Sequence, residues 1–303
     1  MNTYFSHEIK EVKTNKFYNL TDTQPRTFQI REEGKVVETD TDNANMIFKN
    51  YVVRGDLEFR KIAEFTHNRM STLWMLENVT TGETHMLFAD KNGELYTSSD
   101  KGFKHTQDTN ANDKFLDKAK AGEEIAIKDA NEESGVWFGL GEDKSMAPAR
   151  DDLGALPYGE YRLREVRTDS NRNFDLKDFN FYIYRQEKTV DVGTITNVKV
   201  EIGTKALDDT TGLNMGSSVS DKSTIVDTVN YKNIKPGKTY TMKASLIDKL
   251  TGEVIAKADK EFKPGSRDGE VDVTIDVATD KVRGKSVVVF EELFDGTMKI
   301  AEH

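Results

Sequence analysis

Short runs of alternating apolar and polar residues recur along almost the whole of this sequence, and they limit the folds that are open to it. Alternation with a period of two, over about five to eight residues, is the pattern of a half-buried β-strand. Turn sequences that contain glycine, such as Lys91-Asn92-Gly93 and Pro236-Gly237, separate the runs. The pattern predicts an all-β chain of tandem sandwiches. The clearest runs lie at residues 26–32, 55–62, 158–166, 180–186, 238–247, 269–277 and 285–293.

Composition narrows the possible functions. The 303 residues suffice for two or three domains, and the net charge of −10 argues against a nucleic-acid partner, because phosphate binding needs a basic surface. No apolar run is long enough to cross a membrane. The histidines lack metal-ligand spacing, and we expect neither a metal nor another cofactor. The histidines are His7, His67, His85, His105 and His303.

The absence of cysteine excludes disulfide bonds and thiolate metal sites. The first residues lack the basic and apolar segments of a signal peptide, and no sorting signal closes the sequence. If the protein is secreted, we therefore expect this chain to be a piece of a longer precursor. A secreted chain without disulfides must be stabilised by other means.

Residues 100–150 interrupt the strand pattern with a polar stretch rich in Asn, Asp and Lys. One short helix is expected near residues 113–121. We interpret the stretch as a partly irregular insertion between strands, and we expect Trp137 and Phe138 to pin it to the sheet, since an exposed tryptophan without a partner is unfavourable.

A weak internal repeat suggests how the chain is divided. Both copies pass from a strand with Glu, through a polar loop and a strand with Phe, to a strand ending in Asn; the copies begin at His7 and Tyr161. The first copy lacks everything upstream of its Glu. We therefore predict three parts. Residues 1–53 are the C-terminal part of a truncated domain, and residues 54–197 are a domain that contains the insertion. Residues 198–303 are a sandwich that lacks its last strand.

The middle part resembles the Cna B-type, transthyretin-like domains of Gram-positive adhesins and pilins. The segments that carry the resemblance are residues 57–62, 81–83, 90–93, 156–165 and 193–197. The resemblance fails over the insertion, which a minimal member of the family lacks. It implies tandem Ig-like or transthyretin-like β-sandwiches, with the first part a truncated copy of the same domain.

In that family a lysine on the first strand attacks an asparagine side chain on the last strand and forms an intramolecular isopeptide bond, assisted by a buried acid. The resemblance implies Lys61 as nucleophile, Asn197 as acceptor and Glu165 as the assisting acid. The counterparts in the truncated first part are Glu11 and Asn50. The alternative acceptors are Asn180 and, in the insertion, Asn110 and Asn112.

The strand pattern of the residues themselves agrees with these roles. Lys61 shares the parity of Leu57 and Phe59, and Glu165 that of Leu163, so both charged side chains are expected to point inward. Burying a lysine and a glutamate is costly unless the two meet.

Residues 198–303 resemble the repeat domains of actinobacterial and clostridial surface proteins that form an internal Thr–Gln ester bond. The matching segments are residues 202–208, 225–231, 234–240, 246–252, 284–291 and 300–303. The resemblance implies Thr204 as the ester nucleophile, with Asp227, Glu291 and His303 managing protons. Lys205 stands where the family usually has a second Thr. The family's acceptor glutamine lies beyond the His, so we expect it to be missing here, together with the last strand, and a sheet edge to be left open.

These observations predict a structural stalk segment of an extracellular, cell-wall-anchored adhesin whose partners are neighbouring domains of the same surface protein. The alternative is a ligand-binding adhesin module that contacts a host protein or glycan through residues 100–150. We expect no enzyme acting on external substrates, because the sequence offers no evident cleft with two convergent carboxylates. Arg54-Gly55-Asp56 is an integrin-type tripeptide, but so short a motif arises easily by chance.

Overall fold

The computed structural model describes residues 6–30, 33, 47–64, 66–140, 148–208 and 221–303. Almost all of the regular structure in these residues is β-strand, which confirms the all-β prediction. The strands are β1 (Ser6–Ile9), β2 (Tyr18–Asn19), β3 (Arg26–Gln29), β4 (Tyr51–Val52), β5 (Arg54–Ala63), β6 (Thr72–Asn78), β7 (Thr84–Ala89), β8 (Glu94–Tyr96), β9 (Leu156–Pro157), β10 (Gly159–Glu165), β11 (Asp178–Ile183), β12 (Thr189–Asn197), β13 (Glu201–Asp208), β14 (Lys222–Lys232), β15 (Tyr240–Asp248), β16 (Val254–Phe262), β17 (Gly269–Ala278), β18 (Val287–Asp295) and β19 (Met298–Glu302). The helices are α1 (Leu116–Ala121) and α2 (Thr279–Val282).

The N-terminal segment forms two small sheets, in which β1 pairs with β3 and β2 pairs with β4. Its apolar side chains Ile9, Val12 and Tyr18 are exposed. Asn50 lies just before β4 and does not end a strand, in contrast to the expectation from the repeat.

The central sandwich consists of two facing sheets. One has the order β11-β10-β6-β7, and the other has the order β12-β5-β8, with β9 also pairing with β5. Apolar side chains from both sheets fill the space between them, among them Leu57, Trp74 and Leu163, all fully buried. The first and last strands, β5 and β12, are parallel neighbours with Lys61 opposite Ile195. The fold therefore brings the two ends of this sandwich side by side.

The insertion covers the outer face of one sheet. Its helix α1 follows a 3-10 helix at Ala111–Phe115, close to the helix expected from sequence. Phe115 and Ile125 pack against Leu73 and Met75 on the face of β6 that points away from the main core. Both faces of β6 are consequently buried, and burial of a large apolar side chain contributes about 1.5–3 kcal/mol.

The C-terminal sandwich is built from the sheet β13-β14-β17 and the sheet β16-β15-β18-β19. Strand β15 shows strict alternation of buried and half-buried residues, as its sequence predicts. The core of this C-terminal sandwich includes Val229, Leu246 and Ile275, which are fully buried. The division of the chain at residues 53 and 197 remains a prediction.

Candidate functional site

Lys61 lies on β5 with its side chain in the core of the central sandwich and no exposed surface. Leu57 and Phe59 point the same way, which agrees with the parity of the strand. The turn at Gly93 packs directly on the main chain here: the Lys61 N–H donates to the Gly93 carbonyl at 2.6 Å, and a Cβ at Gly93 would lie 2.1 Å from the Lys61 carbonyl oxygen. Glycine is required at this position for close approach as well as for its φ of 70°.

Three buried polar side chains meet in the core. The Lys61 ammonium nitrogen donates to Oδ1 of Asn197 and lies 3.4 Å from Oε2 of Glu165. The Asn197 Nδ2 donates to Oε1 of Glu165 at 2.7 Å. The Lys61 and Asn197 positions come from the first and last strands, and Glu165 ends β10 in the facing sheet. The structure therefore brings together the three residues named from sequence.

Burial dominates the electrostatics of this group. Burial lowers the pKa of Lys61 to about 8, against the opposing effect of the Glu165 charge, and burial raises the pKa of Glu165 above its usual value. The ring of Trp74 lies 5.6 Å from the lysine nitrogen. A lysine in this setting reaches its neutral, nucleophilic form far more easily than one in water.

The arrangement can support amide exchange between Lys61 and Asn197. The amine attacks Cγ of Asn197, the Nζ–Cγ bond forms, and the Cγ–Nδ2 bond breaks to release ammonia. Each Glu165 oxygen faces one of the two nitrogens, so the carboxyl can accept a proton from Nζ and deliver one to Nδ2. Two reacting groups that one folded chain holds in the right geometry reach effective concentrations of about 10⁵ M or more.

Asn171 completes the site, and sequence reasoning missed it. It is fully buried and its Nδ2 donates to Oε1 of Glu165 at 3.0 Å. In the structure Asn171 forms a capping box with Thr168, but the sequence signature of that box has Glu or Gln at this position, so the sequence contains no signal for Asn171. The main-chain N–H of Lys177 donates to Oε2 of Glu165 at 3.2 Å, so the carboxyl is held at both oxygens.

The alternative acceptors lie elsewhere. Asn180 is exposed on β11 and donates to Glu160 at 2.9 Å. Asn110 and Asn112 form hydrogen bonds within the insertion, to the Trp137 and Asn131 main chain. None of the three contacts Lys61 among the described residues.

The N-terminal segment contains a second pair of the same kind. Asn50 Nδ2 donates to Oε2 of Glu11 at 2.7 Å, the same distance as in the Asn197–Glu165 pair. Within the described ranges, no lysine nitrogen contacts either residue.

A different cluster occupies the C-terminal sandwich. Thr204 on β13 donates its hydroxyl proton to Oδ1 of Asp227 on β14. Glu291 on β18 and Asp227 are both fully buried, and Nδ1 of His303 lies 3.4 Å from Oε2 of Glu291. The four residues expected from sequence therefore converge from both sheets. No glutamine side chain contacts Thr204 in the described part of the chain.

The carboxyl of Glu291 is buried beside the carboxyl of Asp227 in this cluster. Burial, followed by the hydrogen bond and charge of Asp227, raises the pKa of Glu291 to about 9. Oδ2 of Asp227 and Oε1 of Glu291 are buried and have no hydrogen-bond partner among the described residues. A protonated Glu291 that donates to Asp227 satisfies both atoms.

This shared proton predicts how stability depends on pH. Glu291 is protonated in the folded state and ionised in the unfolded state between pH 4.5 and about 9, so the free energy of unfolding should fall as pH rises through this window. Glu291→Gln should remove that slope, which is at most about 1.4 kcal/mol per pH unit. Denaturant unfolding across the window measures it, with Glu292→Gln, at the half-buried neighbouring glutamate, as the control. Equal slopes in wild type and Glu291→Gln would refute the shared proton.

The integrin-type tripeptide is buried. The Arg54 guanidinium donates to the main-chain carbonyls of Phe138, Gly154 and Ala155, at 2.7–3.2 Å, and stacks 3.7 Å from the Trp137 ring centroid. Asp56 accepts from the Thr97 hydroxyl at 2.8 Å. The tripeptide therefore organises the insertion and offers no integrin-binding surface.

The insertion is also fastened through His85 on β7. Its two ring nitrogens lie 2.7 Å from Asp113 and 2.9 Å from Glu83. Burial lowers the pKa of His85, but the hydrogen bonds with Asp113 and Glu83 outweigh burial and raise it above its usual value. Trp137 and Phe138 are buried as expected, so they form no exposed aromatic platform for a ligand.

Two kinds of structural feature are absent from the described residues. No helix there has the length and apolar character needed to cross a bilayer. No group of three or more His, Asp or Glu residues is arranged to bind a metal ion in that part of the chain.

A known protein family matches the C-terminal region. Residues 200–303 match the model of the family described as the T-Q ester bond containing domain, which confirms the resemblance seen in sequence. No curated protein matches the chain.

Several solved structures are similar at low identity. A Mobiluncus mulieris adhesin with intramolecular disulfide, isopeptide and ester bond cross-links is 20% identical over 34% of this chain and 52% of its own, with a TM-score of 0.30. The Bacillus anthracis TIE protein is 12% identical over 89% of this chain and 34% of its own, with a TM-score of 0.37. The major pilin subunit of Bacillus cereus is 13% identical over 79% and 58%, with a TM-score of 0.29. This chain spans about half of the Mobiluncus structure and less than two thirds of each of the other two.

Proposed function

We propose that this chain is a structural stalk segment of an extracellular surface adhesin, stabilised by an isopeptide bond that forms autocatalytically between Lys61 and Asn197. The observation that carries the proposal is the buried contact of Lys61, Glu165 and Asn197 between neighbouring first and last strands. Such a bond would route a pulling force through one covalent link, where a hydrogen-bonded ladder would otherwise bear it.

The match to the ester-bond family supports a second element of the proposal. Thr204 would act as the ester nucleophile, with Asp227 accepting its proton and with Glu291 and His303 completing the site. The acceptor would be a carboxamide supplied by residues other than those described. An extracellular location, anchored to the cell wall through other parts of a larger protein, follows from this reading.

The Asn50–Glu11 pair fits the same proposal. It reproduces the acceptor and acid of the central site without a nucleophile among the described residues. We therefore expect no cross-link between Asn50 and any lysine of the described ranges.

Force spectroscopy tests the stalk function directly. When the wild-type chain is pulled from its two ends, the segment between Lys61 and Asn197, which are 136 positions apart in the sequence, should contribute no unfolding step, because the bond bypasses it. In Lys61→Met these residues should extend, at about 3.4 Å per residue. A full extension step from the central sandwich of the wild-type chain would overturn the proposal.

A further inference from the structure

The loop between β10 and β11 forms the support behind Glu165. In this loop Asn171 donates to Oε1 of Glu165 at 3.0 Å and to the Val166 carbonyl at 2.9 Å, while its Oδ1 accepts from the Thr168 N–H at 2.8 Å. The position of the Asn171 side chain, and with it one hydrogen bond to the reacting carboxyl, thus depends on the path of the loop.

Arg167 sets that path. Its side chain is buried, and Nη1 lies 2.6, 3.0 and 2.8 Å from the main-chain carbonyl oxygens of Asn171, Arg172 and Phe174. One guanidinium nitrogen therefore binds three main-chain carbonyls of the loop within four residues. A buried guanidinium also needs an opposite charge nearby, because desolvation penalises an unpaired cation.

That charge comes from the C-terminal sandwich. Nη2 of Arg167 lies 3.7 Å from Oδ2 of Asp295, at the end of β18, and Lys238 Nζ lies 2.6 Å from the same oxygen. Another ion pair, between Arg267 and Asp175 at 3.3 Å, crosses the same contact. The C-terminal sandwich thereby closes over the loop that holds Asn171.

We propose that Arg167 and Asp295 form a positioning pair, through which docking of the C-terminal sandwich assembles the cross-linking site of the central sandwich. Asp295 holds Arg167 in place, and Arg167 binds the loop carbonyls. The loop in turn positions Asn171, which donates to Glu165. This proposal rests on the proposed function, because it concerns the rate at which the same isopeptide bond forms. Neither residue touches the reacting atoms, so both act through the placement of Glu165.

The test is a time course of ammonia loss, followed by intact mass after a pulse of cell-free synthesis of the full chain. Asp295→Asn removes the charge opposite Arg167 from the far side of the contact and should slow ammonia loss about fivefold, the effect of losing about 1 kcal/mol of positioning. Arg167→Lys keeps the charge but cannot reach the three carbonyls, and it should slow the reaction as well. Asp295→Glu keeps the carboxylate and should restore a rate near that of the wild type. The control is Glu292→Gln, which lies on β18 like Asp295 and removes a partly exposed ion pair with Lys299 on β19.

The outcomes separate the two proposals. Slow ammonia loss in Asp295→Asn and Arg167→Lys, with recovery in Asp295→Glu, supports the positioning pair. Wild-type rates in both of the first two variants would overturn it and leave the isopeptide bond standing. A wild-type chain that loses no ammonia at all would instead overturn the proposed function.

Discussion

Lys61→Met should keep the chain at its full calculated mass and lower its melting temperature by roughly 10–20 °C. A covalent link across a loop of more than 100 residues stabilises by about 5 kcal/mol in the chain-entropy account, and each kcal/mol shifts the melting temperature by about 2–4 °C for a domain of this size. Methionine fills the space of the lysine stem without placing a charge in the core. Glu165 is then buried without its cation, and burial already raises its pKa, so it can stay protonated.

The matched control for this variant is Lys177→Met. The Lys177 side chain lies close to the site, but its nitrogen pairs with Asp175 at 2.6 Å and not with Asn197. This control should lose one ammonia as the wild type does. Intact mass and thermal melting measure both variants. If Lys61→Met melted at the wild-type temperature, no cross-link at Lys61 could be contributing to stability.

Glu165→Gln should stop ammonia loss on the timescale of expression although both reacting side chains remain. The amide keeps the shape of the carboxyl but cannot carry a proton from Nζ of Lys61 to Nδ2 of Asn197. Loss of general acid–base assistance lowers a rate by about 10²- to 10⁴-fold. The melting temperature should fall nearly as far as in Lys61→Met, because the same bond is absent.

Glu160→Gln is the matched control for the acid. It lies on the same strand, faces outward and pairs with Asn180. Ammonia loss should be unchanged in this variant. A Glu165→Gln chain that cross-links at the wild-type rate would show that proximity alone drives the reaction and that the carboxyl has no role in it.

The cross-linking residues could be named from sequence because strand parity is a local property. Lys61 follows Leu57 and Phe59 at a spacing of two, so the direction of its side chain is fixed by its own strand. The same holds for Glu165 after Leu163. That Lys61 and Asn197 meet could not be read from spacing, and it rested on resemblance to a family.

Features that depend on distant contacts were missed or read differently. The sequence marks Arg54 only as part of a chance tripeptide, whereas its partners lie 84 to 101 residues away, in the insertion and just after it. Asn171 carries no charge and no strand pattern, so nothing in its neighbourhood marks it as a partner of Glu165. The contact of Arg167 with Asp295 joins two sandwiches and has no local signature at all.

The central claim is a bond between Lys61 and Asn197, and the mass of the purified wild-type chain tests it most directly. The predicted mass is that calculated from the sequence less one ammonia, with the loss assigned by peptide mapping to a branched peptide that joins the two residues. A wild-type chain at its full calculated mass, with Lys61 and Asn197 recovered in separate unmodified peptides, would contradict the claim.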